Sequence, residues 1–205
     1  MKRPAGLTVF DTPVVSHVLA WVSRLVLRLR RWRMVVHLPE TERFVAVFAP
    51  HTSYWDVPLM LMAALANRVR GHWLGTHNLF RRPFGWFFRW LGGIPVDRSR
   101  SNGIVAIAVD EFTGRDRLVL GLAPEGTRFP AERWKTGFYH IAVGAQVPLV
   151  LTFLDAGTRT IGAGDWFVPG GDLASDAARI RDFYADKVGI RRSRTTRPVI
   201  QPNGD

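Results

Sequence analysis

The chain has 205 residues, which suits one globular domain, and 47% of them are hydrophobic and 22% charged. This balance excludes a disordered or low-complexity chain. Lys and Arg number 28 against 17 Asp and Glu, a net charge of +11, which predicts an anionic partner: nucleic acid, a phospholipid surface or a phosphorylated substrate. Because the chain has no cysteine, disulfides, thiolate nucleophiles and cysteine-ligated zinc are excluded.

Targeting and membrane-spanning segments are not evident in the sequence. The first eleven residues include Lys2 and Arg3 but no continuous apolar run, so we expect no cleaved secretory signal and a cytoplasmic location. Arg24 and Asp56 interrupt the two longest apolar stretches, which leaves both too short to span a bilayer.

Residues 14–32 show the clearest helical periodicity of the chain. Their apolar side chains, with Trp21 and Trp32 among them, fall on an arc of roughly 160° at about 100° per residue. Such a helix is typical of a membrane interface, although packing of the arc on the domain gives the same pattern. We favour the interface and predict that residues 1–36 form a basic amphipathic membrane-association segment. The cations opposite the arc are His17, Arg24, Arg28, Arg30 and Arg31.

After residue 36, strand-like and helix-like segments alternate. This alternation predicts an α/β fold, a single-domain layered sheet flanked by helices, over residues 37–190. Residues 191–205 are predicted to be a basic polar tail that frays. Strands are predicted at 43–49, 72–76, 94–96, 117–123 and 147–154. Helices are predicted at 55–67, 83–91, 102–113, 138–145 and 172–188.

His51 and Asp56 follow the first of these strands, where α/β folds commonly place their sites. With His51 in the turn and Asp56 in the first helical turn, the carboxylate can fix one ring nitrogen and leave the other free as a base. The alternative is structural. Ser53 then caps the helix, and Asp56 only accepts hydrogen bonds from free amides at the helix start.

A second cluster, Glu125-Gly126-Thr127-Arg128, follows another apolar strand. Gly126 permits a tight turn that can aim amides, the Thr127 hydroxyl and the Arg128 guanidinium into a cradle for phosphate. The alternative is an ordinary turn with an ion pair between Glu125 and Arg128. A third segment, residues 92–100, is rich in glycine and arginine.

Together these segments resemble the motifs of the glycerolipid acyltransferase superfamily, the lysophospholipid and 1-acylglycerol-3-phosphate acyltransferases. The H-x-x-x-x-D motif falls on His51 and Asp56, G-I-P-V-D-R on residues 93–98, and E-G-T-R on residues 125–128. Residues 147–150 resemble the fourth block, so the likeness runs from about residue 45 to residue 154.

This resemblance implies transfer of a fatty acyl group from an acyl-CoA or acyl-carrier-protein thioester to a hydroxyl of a lysophospholipid-like acceptor. His51 would deprotonate the hydroxyl, Asp56 would orient the imidazolium, and no acyl-enzyme would form. The thioester is a co-substrate, and neither a tightly bound cofactor nor a metal is implied. With the basic helix, the resemblance implies a peripheral or monotopic enzyme at the cytoplasmic face of the membrane.

The resemblance also implies a substrate-binding and phosphate-binding group. Arg128 and Arg98 would hold a phosphate of the donor or acceptor, and the residues around them would shape the pocket. The remaining members of this group are Gly93, Glu125, Gly126 and Thr127.

The acceptor stays open at this stage. Residues 75–80 lack a lysine that many relatives carry near the acceptor or phosphate site, so a non-phosphoglyceride acceptor such as an aminolipid or glycolipid is the alternative to 1-acylglycerol-3-phosphate. A basic nucleic-acid-binding module fits the net charge of +11, but the sequence holds no recognisable nucleic-acid motif, and we expect no nucleic acid as partner.

Overall fold

A computed structural model describes residues 7–96 and 101–201, with the side chains of residues 101 and 102 excepted. In chain order its strands are β1 (Arg33–Val36), β2 (Arg43–Ala49), β3 (Gly71–Thr76), β4 (Gly93–Val96), β5 (Leu118–Leu122), β6 (Leu149–Asp155) and β7 (Thr160–Phe167). Its α-helices are α1 (Pro13–Leu29), α2 (Asp56–Ala66), α3 (Gly85–Trp90), α4 (Ser101–Thr113), α5 (Gly137–Ala145) and α6 (Leu173–Tyr184). Short 3-10 helices span His77–Phe80 and Arg192–Arg194.

The seven strands form one sheet in the order β1-β7-β6-β2-β5-β3-β4. Neighbouring strands are parallel except for β6 and β7, which pair antiparallel. Parallel strands need crossover connections, which the helices supply. Because β2 and β5 are parallel neighbours, the loops that leave their carboxyl ends start side by side.

Alternation along β2 shows how the sheet separates two helical layers, since successive strand residues point to opposite faces. Val45, Val47 and Ala49 share the largest core cluster with residues of α4, α5 and α6. Phe48 points to the other face and packs in a cluster with residues of α2. The sheet is therefore covered on both faces, and the predicted α/β fold of a sheet flanked by helices is confirmed.

Each predicted strand and helix is present, with ends that differ by a few residues. The strands β1 and β7 are additional, and the glycines of β7 explain why its apolar pattern is weak. Gly162 has φ +144°, and a Cβ there would lie 1.8 Å from the carbonyl oxygen of Val35. Glycine thus lets β1 approach β7, although it breaks the alternation that identifies a strand in sequence.

The segment boundaries expected near both ends of the chain differ from the structure. The first boundary, at residue 36, falls at the end of β1, which belongs to the sheet through its pairing with β7. The described part of the tail, to residue 201, is packed rather than frayed. Val199 accepts a hydrogen bond from the backbone of Trp134, and Ile200 is buried.

The apolar arc of α1 is divided between the domain and solvent. Ala20, Ser23 and Leu27 are buried, in a helix that packs on α2. Arg24, expected among the cations that face lipid headgroups, instead donates to the carbonyl oxygen of Ala66. A second stripe stays exposed, made of Val14, Val18, Trp21, Val22, Leu25 and Leu29. Within the described ranges, the helices are all too short or too polar to cross a bilayer.

Candidate active site

The pair His51 and Asp56 lies where β2 gives way to α2. Nδ1 of His51 is 3.2 Å from Oδ2 of Asp56, and the two side chains are 11% and 0% exposed. The imidazole therefore reaches the surface while its carboxylate partner is fully buried. The contact lacks hydrogen-bond alignment, which is common at catalytic pairs before substrate binds.

Asp56 also anchors the loop that carries His51. Its Oδ2 accepts hydrogen bonds of 2.7 Å from the backbone amides of both Thr52 and Ser53. Ser53 is not the helix cap, since Trp55 precedes α2 without a side-chain cap. Asp56 therefore satisfies free amides of this loop and also lies beside the imidazole of His51.

Glu125 links the loop after β5 to the loop after β2. Its Oε2 accepts a 2.8 Å hydrogen bond from the backbone N–H of His51. The pKa of Glu125 is raised to about 7, mainly by burial and to a smaller extent by the charge of Asp56, while the hydrogen bond from the His51 N–H opposes the shift. In the described part of the chain Glu125 forms no ion pair with Arg128, so that alternative is wrong. The carboxyl fixes the His51 backbone instead.

The turn after Glu125 has the conformation predicted for a glycine. Gly126 has φ +66°, and Cε of Lys135 lies 3.3 Å from the position that a Cβ would take. Thr127 uses its hydroxyl within the turn, since Oγ1 accepts a 3.2 Å hydrogen bond from Phe129 N. Lys135 is a cation at this turn that the sequence interpretation did not assign to the site.

Arg128 reaches from this turn to the loop that carries His51. Its guanidinium carbon lies 3.9 Å from the centre of the Tyr54 ring, a cation–π contact. Since Tyr54 lies between His51 and Asp56 in sequence, the structure brings the H-x-x-x-x-D and E-G-T-R segments together. Their proximity follows from the pairing of β2 with β5.

The G-I-P-V-D-R segment is placed differently. Gly93 begins β4, the sheet edge three strands from β2. A Cβ at Gly93 would lie 2.7 Å from the carbonyl oxygen of Phe88 and 2.8 Å from the Phe80 ring. Gly93 is therefore a close-packing position away from His51, and Arg98 lies outside the described residues.

The C-terminal segment contributes to the site, which the sequence interpretation missed. The backbone N–H of Arg191 donates a 3.1 Å hydrogen bond to Oγ1 of buried Thr52. Gly189 packs so closely that a Cβ would lie 2.5 Å from the Thr52 side chain. Nη1 of Arg194 lies 3.5 Å from the carbonyl oxygen of Arg128. The segment 189–194 thus contacts both loops of the site.

A cavity of about 430 Å³ lies at the opposite end of the sheet, near the amino ends of β2, β3 and β5. It is lined by charged residues, but three of its arginines form ion pairs within the protein. In open α/β sheets ligands bind at the carboxyl ends of the strands. We therefore take His51, rather than this cavity, as the place of the candidate active site. The three ion pairs are Arg70–Asp11, Arg115–Glu111 and Arg117–Glu42.

Comparison with known proteins identifies the family of the chain. A family model described as Acyltransferase matches residues 32–151, more than half of the chain. The chain therefore belongs to the acyltransferase family, and its resemblance to the glycerolipid acyltransferase superfamily is confirmed.

Two acyltransferases, one found by sequence and one by structure, are similar to this chain. A 1-acyl-sn-glycerol-3-phosphate acyltransferase of Escherichia coli (strain K12) is 33% identical over 84 residues, which cover 38% of this chain and 34% of that protein. The match thus spans about a third of that relative's length. The crystal structure of a 1-acyl-sn-glycerophosphate acyltransferase from Thermotoga maritima aligns over 80% of this chain and 74% of that one, with a TM-score of 0.54 and 19% identity. At that identity the likeness shows a shared fold.

Proposed function

We propose that this chain transfers a fatty acyl group from an acyl-CoA or acyl-carrier-protein thioester to a hydroxyl of a lysophospholipid-like acceptor. The observation that carries the proposal is the partly exposed imidazole of His51, held 3.2 Å from the buried carboxylate of Asp56. Membership of the acyltransferase family and the described relatives support the same reaction class.

The proposed first step is proton transfer from the acceptor hydroxyl to His51. Asp56 lies at Nδ1, so its charge favours the tautomer with the proton on Nδ1 and leaves Nε2 free as the base. When Nε2 takes the hydroxyl proton, the negative carboxylate stabilises the resulting imidazolium. General base catalysis of this kind is typically worth about 10²- to 10⁴-fold in rate.

The second step is direct attack by the acceptor oxygen on the thioester carbonyl carbon. The new C–O bond forms as the carbonyl becomes a tetrahedral oxyanion, which then reforms its double bond and breaks the C–S bond. The departing thiolate takes the proton from the His51 imidazolium and leaves as a free thiol. The enzyme returns to its starting state without a covalent intermediate, in agreement with a chain that has no cysteine.

The exposed stripe of α1 supports a membrane surface as the place of this reaction. Trp21 is 64% exposed and Leu29 is 73% exposed, and Arg28, Arg30 and Arg31 are exposed at the end of the same helix. An exposed apolar row next to cations suits an anionic lipid interface. We propose peripheral or monotopic attachment at the cytoplasmic face, which gives the site access to lipid acceptors.

A panel experiment tests the proposed reaction. The purified chain is incubated with isotope-labelled acyl-CoA or acyl-carrier protein and with one acceptor at a time, and products are identified by mass spectrometry. The acceptors are 1-acylglycerol-3-phosphate, a lysophosphodiester, a lyso-aminolipid and a lyso-glycolipid. We expect labelled ester from a lysophospholipid; ester formed only on the aminolipid or glycolipid would select that alternative, and no labelled ester would contradict the proposal.

A further inference from the structure

The C-terminal segment, residues 189–200, crosses the carboxyl ends of three neighbouring strands. Just before it, Val188 is fixed to the end of β6, where the backbone N–H of Ala156 donates a 2.7 Å hydrogen bond to the Val188 carbonyl oxygen. At its other end, the backbone N–H of Trp134, which follows β5, donates a 2.9 Å hydrogen bond to the carbonyl oxygen of Val199. The sheet order β6-β2-β5 therefore places the loop that follows β2 between these two attachments.

The middle of the segment contacts the loop that follows β2. Gly189 is buried, and a Cβ there would lie 2.5 Å from the side chain of Thr52. The backbone N–H of Arg191 donates a 3.1 Å hydrogen bond to Oγ1 of the same threonine. Between these two residues, Ile190 packs on a core cluster that includes Ala63 of α2. The segment therefore contacts one loop residue closely and also packs with the helix that follows the loop.

Thr52 connects the C-terminal segment to the pair His51 and Asp56. It is 1% exposed, and its side chain contacts the segment, while its backbone N–H donates a 2.7 Å hydrogen bond to Oδ2 of Asp56. The same carboxylate oxygen lies 3.2 Å from Nδ1 of His51. Because Thr52 is also the residue after His51 in the chain, a displacement of Thr52 moves the imidazole and its carboxylate partner relative to each other.

Catalysis by such a pair depends steeply on its geometry. A displacement of about 1 Å in a reacting group can lower the rate about 100-fold, and such groups are held in place by the packing and hydrogen bonds of the residues behind them. The segment supplies both kinds of contact to Thr52, from residues outside the range 32–151 that the family model matches. Membership of the family therefore does not account for this contact.

We propose that the C-terminal segment is a positioning element of the active site, which holds His51 and Asp56 in their catalytic geometry through Thr52. This inference rests on the proposed function, because it assigns the segment to the proton transfer at His51. The contact with Thr52 is buried and holds the base rather than a reactant. Its disturbance should therefore lower kcat and leave KM near the wild-type value.

Gly189→Ala tests the positioning role, and Gly170→Ala is its matched control. The new methyl group at Gly189 would lie 2.5 Å from Thr52 and must displace that side chain or the segment, whereas the Cβ position of Gly170 has open space around it. Gly170 follows β7 at the opposite end of the sheet, and neither glycine has a left-handed backbone. With saturating reactants, and after circular dichroism has confirmed folding, we expect kcat to fall about tenfold in Gly189→Ala and to stay at the wild-type value in the control.

Two substitutions of Thr52 keep the test valid if Gly189→Ala does not fold. Thr52→Val preserves the shape of the side chain but removes the acceptor of the Arg191 N–H, so kcat should fall about threefold. Thr52→Ser keeps that acceptor and should restore most of the wild-type kcat. A wild-type kcat in folded Gly189→Ala or Thr52→Val would overturn the proposal. A rise in KM without a fall in kcat would also overturn it, since the segment would then act in substrate binding.

Hydrogen exchange of the loop amides separates this inference from the proposed function. In the wild type the backbone N–H groups of Thr52 and Ser53 donate to Asp56, and their exchange reports opening of the loop without any reactant. We expect both to exchange faster in Gly189→Ala than in the wild type and in Gly170→Ala. Such a difference, in a chain whose wild type transfers no acyl group, would retain the hold of the segment on the loop and reject the function. Acyl transfer with equal exchange rates and equal kcat in all three proteins would retain the function and reject the positioning role.

Discussion

The two ends of the sheet use arginine differently. At the amino ends of the strands, Arg70, Arg115 and Arg117 are paired with carboxylates around a cavity. At the carboxyl ends of β2 and β5, Arg128 and Arg194 stack on aromatic rings beside His51 and have no carboxylate partner in the described chain. The comparison teaches that the two ends differ in how their positive charge is used: ion pairs hold it at the amino ends, whereas at the carboxyl ends it lies on aromatic rings beside a base.

Apart from loss of the His51 imidazole itself, the largest effect is expected at the carboxylate of this pair. Asp56→Asn preserves shape and can still accept from the backbone amides, but it removes the charge that stabilises the imidazolium. We expect kcat to fall about 100-fold or more, measured as initial rates of acyl transfer. Asp11→Asn, which breaks an ion pair at the other end of the sheet, should leave kcat unchanged; equal losses in both variants would remove the distinction between the ends.

Glu125, at the carboxyl end of the sheet, should make the stability of the protein depend on pH. Its pKa rises from 4.5 in the unfolded chain to about 7 in the folded protein, so the folded state binds more protons across this window. Its contribution to the free energy of unfolding therefore falls as pH rises from 4.5 to 7. Glu125→Gln does not ionise, so we expect its stability relative to wild type to increase across this window by roughly 3 kcal/mol.

Urea denaturation at several pH values measures this change. Glu42→Gln is the matched control at the amino end, where it loses only an exposed ion pair with Arg117, worth below about 1 kcal/mol. A stability difference between Glu125→Gln and wild type that stays constant with pH would show that Glu125 does not titrate as described.

The two faces of α1 extend the comparison to the membrane proposal. Trp21→Ala should weaken binding to anionic lipid vesicles about tenfold or more, since burying such a side chain is worth about 1.5–3 kcal/mol. Flotation or sedimentation with vesicles measures the partition. Leu27→Ala on the buried face should instead lower the free energy of unfolding by about 2–5 kcal/mol. Unchanged partition of the Trp21 variant would refute attachment through the exposed stripe.

The smallest effect is expected where the C-terminal segment meets the His51 loop. Thr52→Val preserves the shape of the side chain but leaves the Arg191 N–H without its acceptor. Because the hydrogen bond is only partly buried, its loss should cost about 0.5–1.5 kcal/mol, which thermal or urea denaturation should detect. Thr52→Ser keeps the hydroxyl and should lose less. If the Thr52→Ser and Thr52→Val proteins are equally stable, the hydrogen bond from Arg191 N to Thr52 does not hold the C-terminal segment in place.

Sequence patterns predicted the parts of the fold that depend on local periodicity and strand-end motifs. The strand Arg43–Ala49 is found at the predicted bounds, because its apolar run is continuous and ends at Pro50. The neighbourhood of His51 and Glu125 also follows from the sequence once both motifs are placed after parallel strands. The roles of the individual atoms do not follow, since the hydrogen bond from His51 N to Glu125 depends on strand order.

Contacts between distant segments could not be predicted. Nothing in the composition of residues 189–201 distinguishes a docked segment from a frayed tail, since docking depends on the space that Gly189 leaves beside Thr52. The apolar arc of α1 likewise predicts amphipathicity, but only packing on α2 shows which stripe stays free. Lys135 packs against Gly126 beside the His51 loop, and this contact depends on how the turn folds rather than on any local pattern.

Comparing His51→Ala with His72→Ala tests the central claim most directly. The two histidines lie at opposite ends of the sheet, and kcat/KM is measured for both with an acyl thioester and a lysophospholipid, after circular dichroism has confirmed folding. We predict that His51→Ala loses about 10²- to 10⁴-fold in rate, whereas His72→Ala retains the activity of the wild type. A folded His51→Ala protein that transfers acyl groups at the wild-type rate would contradict the account.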